Sequence, residues 1–193
     1  MAEPLKKPED EGEGEGELPE GTPLQIAGCL YLMMLAAALI WLWAGDRMDS
    51  LAESALGDYG IWVAAGVGLG GGLLGALLLG FASHLKSVQS YTERIATLLG
   101  PLSENQILAL SILSAVAEEL FFRLALQGAF GMAVAVGVYT GLNTGPGFWR
   151  SAWIALFAGL LFSGMVELGF GLLSATTAHA IINYLSLRRI LPT

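Results

Sequence analysis

AVAEELFFRLALQG, Ala115–Gly128, places two adjacent carboxylates and one guanidinium in a stretch that is otherwise apolar. Whether that stretch belongs in water or in lipid decides the fold. Of 193 residues, 54% are hydrophobic and 13% charged, with a mean hydropathy of +0.63, far more apolar than a water-soluble domain of this length. The chain therefore reads as a membrane protein. An ionised side chain at the bilayer centre costs roughly 2.5–3.5 kcal/mol on insertion scales, so each of the three charges needs a compensating partner.

Helical spacing supplies one pair. Glu119 and Arg123 are four residues apart with the acid N-terminal to the base, so they meet on one helix face. Glu118 lies five residues from Arg123, about 100° of helix from the best alignment, and must face another part of the bundle. The counterpart is SATTAHAIINYL, Ser174–Leu185, where His179 and Asn183 are four apart and share a face of a second apolar helix. A carboxylate that accepts a proton, an imidazole and an amide donor could together deprotonate a water and stabilise an oxyanion, the two tasks of peptide-bond hydrolysis. The same residues could equally form a buried polar network that fixes helix packing.

The remaining acidity has a different origin. The net charge is −8, yet eight of the seventeen acids precede Gly21, in KKPEDEGEGEGELPEG and the three residues of Glu3 to Leu5 before it. A Glu/Gly/Pro segment has little apolar area to bury, so residues 1–22 are expected to be a disordered acidic tail, followed by a membrane domain over 23–193. Cys29 is the single cysteine, which leaves no disulfide framework and no Cys-rich metal site. The first apolar run lacks a small-residue cleavage pattern and is expected to stay as a membrane helix.

Six spans and one interfacial helix account for the rest, an all-α polytopic bundle. Leu24–Ala44 has no charge and is long enough for a core of about 30 Å, with Thr22 as expected N-cap and Pro23 at the first helical position. Asp46–Asp58 is a polar loop. Gly60–Ser83 forms span two, and its glycines pair at four-residue spacing (Gly66 with Gly70, Gly68 with Gly72, Gly71 with Gly75), which suits close helix packing. In His84–Leu102 the residues Val88, Tyr91, Ile95 and Leu98 recur at helical spacing between Lys86, Glu93 and Arg94, a pattern for a helix lying along the interface. Ser103 and Gln106 make a capping box that starts span three, ending near Gln127. Gly131–Leu142, Ala152–Val166 and Phe170–Leu187 complete the set, with the turn NTGPG between the fourth and fifth. Glu167 and His84 read as interfacial residues. With the N-terminus inside, Lys6, Lys7, Lys86, Arg94, Arg150, Arg188 and Arg189 all fall on the cytoplasmic side and only Arg47 on the other, so both termini are expected to be cytoplasmic. A bacterial inner membrane is the expected location, and no feature fixes an oligomeric state.

EELFFR, with Glu118, Glu119 and Arg123, and HAIIN, with His179 and Asn183, resemble the EExxxR and HxxxN/D motifs of the CAAX prenyl protease and bacteriocin-processing (CPBP, or ABI) intramembrane endopeptidases. Order, separation and placement on different apolar helices agree over roughly 103–187. The resemblance implies that Glu118 activates water, that Glu119 and Arg123 order the site, and that His179 and Asn183 bind the oxyanion. It also implies a peptide or protein substrate reaching the bundle from the lipid, and no nucleic acid. No cofactor is expected, because one histidine and crowded acids make a poor zinc shell; were a metal such as zinc used, Glu118 and His179 would hold it. One motif departs. Where that family carries FxxxH, this chain has YTGLN, and Asn143 can hydrogen-bond a water but cannot relay a proton. A catalytically impaired relative acting as a membrane binding or scaffold protein is therefore the alternative to the protease. A small proton-coupled transporter built on Glu118 fits less well, since the chain shows no repeated half.

Overall fold

The computed structural model describes residues 21–144 and 149–191. The expected acidic tail and most of the NTGPG turn lie outside them. All regular elements of the described residues are helical. Helix α1 runs Thr22–Ala44, α2 Ser50–Leu56, α3 Ile61–Ala82, α4 Lys86–Leu99 and α5 Glu104–Glu118. A π-helical segment, Glu119–Gln127, continues α5 without a break and passes into the short α6, Gly128–Phe130. Then come α7, Met132–Thr144, a 3₁₀ turn at Trp149–Ser151, α8, Ala152–Glu167, and α9, Gly171–Ile190.

Three described helical stretches are long and apolar enough to cross a membrane: Thr22–Ala44, Ile61–Ala82 and Trp149–Glu167. Their outer faces carry bare apolar side chains, among them Met33, Trp62, Leu77 and Phe81, as a lipid-facing surface requires. The chain is a membrane protein on this ground. The stretches around the polar motifs, α5 with its π continuation and α9, do not share that uniform apolarity.

Several local expectations shift. Thr22 is already helical, and Gly21, with φ of 84°, occupies the cap position ahead of it. The polar loop after α1 contains α2. The capping box of Ser103 and Gln106 forms in both directions.

Helix α9 is the centre of the bundle, packed against α3, α5, α8 and the π segment. The α3 contact depends on glycine. A Cβ at Gly68 would sit 2.7 Å from the Ser174 carbonyl oxygen, and one at Gly72 would sit 3.0 Å from the Ala178 Cα. Gly75 lies against Ile182 and Gly71 against Met165. Such backbone proximity is what small residues permit in lipid, where no hydrophobic effect drives helices together. Gly66 and Gly70 are different: nothing approaches their Cβ positions within 4 Å, so that pair faces outward and does not pack as its spacing suggested.

At the opposite end from α4, the Asp58 amide donates to the Gly169 carbonyl at 2.8 Å. Gly57, with φ of 64°, presses its backbone onto Gly169–Gly171. Nearby, Arg47 closes the π segment: Nη2 donates to the Leu124 carbonyl at 3.1 Å and Nη1 to that of Ala125 at 3.4 Å. A guanidinium on late helix carbonyls satisfies acceptors and opposes the negative end of the helix dipole. Gly128 makes room for it, since a Cβ there would strike Nη2.

Candidate active site

The π segment and α9 bring the two motifs together. Glu119 and Arg123 are fully buried and pair at 3.1 Å between Oε2 and Nε. The other Glu119 oxygen, Oε1, lies 2.8 Å from His179 Nδ1, a charge-assisted contact in which the ring N–H donates to the carboxylate. With Nδ1 so engaged, His179 presents Nε2 to the Glu118 Oε2 at 3.9 Å. A chain of four side chains thus runs Arg123, Glu119, His179, Glu118. Its members neutralise one another in a setting where a lone charge would be costly.

Aromatic rings hold this chain in place. Phe162 of α8 stacks on the His179 ring at 4.6 Å and 13°. The Arg123 guanidinium lies 4.7 Å from the centre of the Tyr139 ring, and Phe122 meets Tyr139 edge-on at 5.1 Å. Delocalised guanidinium over an aromatic face is a favourable way to keep a cation away from water.

Asn183, one turn beyond His179, donates from Nδ2 to the Ser114 hydroxyl at 2.9 Å. Ser114 itself lies one turn before Glu118 on α5 and passes its hydroxyl hydrogen to the Ser111 carbonyl. An amide nitrogen carries two hydrogens, so one N–H of Asn183 remains for another acceptor.

Asn143 stands apart. Its amide donates to the Tyr139 carbonyl of its own helix at 3.0 Å, so the residue of the YTGLN stretch that meets the charged chain is Tyr139. Glu167, at the end of α8, accepts from Gln127 at 3.1 Å. His84 is exposed.

A cleft of about 710 Å³ opens between α1, α3, α4, α5 and α9. Its roof is the inner face of α4, with Val88, Tyr91, Ile95 and Leu98, the residues whose spacing marked an interfacial helix. Arg189 and Ser83 line it, joined by a 3.1 Å hydrogen bond. Tyr31, Ser114 and Asn183 also line it. Desolvation in the cleft wall, and then the Glu118 charge, push the Tyr91 phenol above its ordinary value.

Sequence reasoning missed Tyr31, Ser114 and Phe162. Ser114 had a signal, its four-residue distance from Glu118; the two aromatics had none in a chain rich in apolar rings. As for metals, no group of three or more His, Cys, Asp and Glu side chains able to hold an ion occurs among the described residues.

Neither the curated proteins nor the solved structures give a match to this chain. The stretch 102–185, which holds Glu118, Glu119, Arg123, His179 and Asn183 together, matches the family model of the Rce1-like proteins, described as type II CAAX prenyl endopeptidase Rce1-like.

Proposed function

We propose that the chain is an intramembrane endopeptidase of the CAAX-processing type that hydrolyses a peptide bond with a water activated by Glu118. The observation that carries this reading is the approach of Glu118 to His179, 3.9 Å, beside a cleft whose wall includes Ser114 and Asn183. Glu118 takes a proton from the water as its oxygen attacks the carbonyl carbon. The resulting oxyanion is held by the free N–H of Asn183 and by His179, and Glu118 then returns the proton to the leaving amine. Arg123 and Glu119 fix the imidazole. This scheme needs no metal, and the donor set supports that: Glu118 and His179 fall short of the usual three or four zinc ligands, with Nδ1 already used by Glu119.

The proposal includes six membrane spans with both termini cytoplasmic. Support comes from the way α4, the 3₁₀ turn at Arg150 and the last turn of α9 gather at one end, uniting Lys86, Arg94, Arg150, Arg188 and Arg189 there. Peptide or protein reaches the cleft from the lipid and the α4 side.

Purified full-length chain in detergent, given a farnesylated peptide ending in a CAAX sequence and its unmodified twin, tests the reaction. Cleavage that survives a chelator and disappears in Glu118→Gln is expected. Cleavage retained by Glu118→Gln removes Glu118 as base, and cleavage of neither peptide by the wild-type chain turns the choice to the second reading.

That second reading, a non-catalytic membrane binding protein, is favoured by one observation: Asn143 gives its amide to its own helix and brings no acid-base group. General acid-base help contributes about 10²- to 10⁴-fold. A rise in cleavage with Asn143→His that vanishes when Glu118→Gln is added favours the protease; no cleavage in either background favours binding.

A further inference from the structure

Among the described residues, Arg189 is the only charged one in the wall of the cleft, and most of that wall is apolar, with Ile26, Leu30, Leu79 and Ile95. Its neighbour Arg188 is engaged elsewhere, with Glu104 at 3.4 Å. Among the described residues no carboxylate lies within ion-pair distance of Arg189. The guanidinium is nevertheless fixed. Nη2 donates to the Ser83 hydroxyl at 3.1 Å, and that hydroxyl gives its own hydrogen to the Gly80 carbonyl at 2.8 Å, which leaves it an acceptor toward Arg189. Gly80 makes the room: a Cβ there would lie 3.1 Å from Nη1. Ser83 uses one N–H of a guanidinium that has five, so the fork keeps donors for an anion.

We propose that Arg189, held by Ser83, binds the terminal carboxylate of the peptide that Glu118 cuts, so that cleavage takes place close to a free C-terminus. An apolar cleft with one cation at one end and the polar groups of Ser114 and Asn183 at the other fits an apolar peptide that ends in an anion. Helix α9 sets the spacing. From Asn183 to Arg189 it rises about 9 Å at roughly 1.5 Å per residue, the length of about three extended residues at roughly 3.3 Å each. Ser186 and Leu187 line the cleft between them. A carboxylate can take two parallel N–H bonds from a guanidinium, which fixes direction as well as charge. Because Ser83 holds the fork before the peptide arrives, little side-chain freedom is lost on binding.

The site takes its substrate from the protease reading, so binding and cleavage are measured separately. Full-length Glu118→Gln is titrated with a fluorescent farnesylated CAAX peptide as the free acid and as its C-terminal amide, in neutral detergent and in bilayers with and without phosphatidylglycerol. The acid is expected to bind about tenfold more tightly, the lower end for a hydrogen bond to a charged group. Adding Arg189→Gln should remove that preference, Arg189→Lys should keep part of it, and Ser83→Ala should weaken it. In cleavage, Arg189→Gln alone should raise KM for the acid about tenfold and leave kcat unchanged. Equal binding of acid and amide overturns the site, as does a preference for the acid that survives Arg189→Gln. If Arg189→Gln weakens acid and amide alike, and only where phosphatidylglycerol is present, the guanidinium serves a lipid headgroup and the proposal falls. Wild-type chain that cleaves neither peptide while the acid preference holds overturns the protease reading and supports the carboxylate site.

Discussion

The two sides of α9 are built on opposite principles. Toward α3, the backbone of Ser174 and Ala178 meets Gly68 and Gly72 where a Cβ would not fit, and the Ile182 side chain sits against Gly75. Toward α5 and the π segment, His179 and Asn183 extend polar groups to Glu118, Glu119 and Ser114. One side fixes position through hard contact; the other uses that position to hold groups that attract and repel one another. The contrast teaches that polar geometry in lipid need not hold itself together. A rigid small-residue contact behind the helix restrains where its polar face can go.

Perturbing the two sides unequally tests this. Arg123→Ala is expected to cost most, about 3–5 kcal/mol, because Glu119 is left buried against the imidazole without its guanidinium. Melting in detergent measures it, and adding Glu119→Gln should recover part of the loss. Unaltered melting would mean that the pair contributes nothing to the fold. Gly68→Ala comes next, at about 1–3 kcal/mol, the range for overpacking. Here the obstructing atom is the backbone oxygen of Ser174, 2.7 Å away, so α9 must shift, and cleavage should fall together with stability. If stability falls and activity does not, the two sides of α9 are independent.

Asn183→Ala is expected to cost about 1 kcal/mol, one net hydrogen bond to the Ser114 hydroxyl. Cleavage should suffer far more than the fold does. Smallest is Gly66→Ala, where the new methyl meets nothing; removing a helix-interior glycine is worth up to about 1 kcal/mol in stability. A destabilised Gly66→Ala would put that glycine at an unseen contact.

Much of this plan was readable in the chain. The Glu119–Arg123 pair, the turning of Glu118 toward another helix and the capping box all follow from short-range helical spacing, and the structure has each of them. The pairing of glycines was half readable, because spacing gives a common face but not which face meets a neighbour. Gly66 and Gly68 differ only in that. The π register had no marker, since Glu119–Gln127 contains neither proline nor glycine; the segment packs against α1, α7 and α9, elements distant in sequence or assigned no role in it by spacing. Tyr31 and Phe162 were hidden for a related reason. An aromatic ring in an apolar helix looks the same in sequence whether it faces lipid, a cleft or an imidazole.

The clasp of Arg47 on the end of the π segment also places a condition on biosynthesis. Its acceptors, Leu124 and Ala125, come 77 and 78 residues later in the chain; at about 5–20 residues per second they are made roughly 4–16 s after it. During that interval α1, α2 and α3 exist while the carbonyls that Arg47 will hold do not. The early helices must therefore wait in the membrane in an unfinished arrangement: the π segment brings the acceptors of Arg47, and α9, made later still, brings the partner of α3.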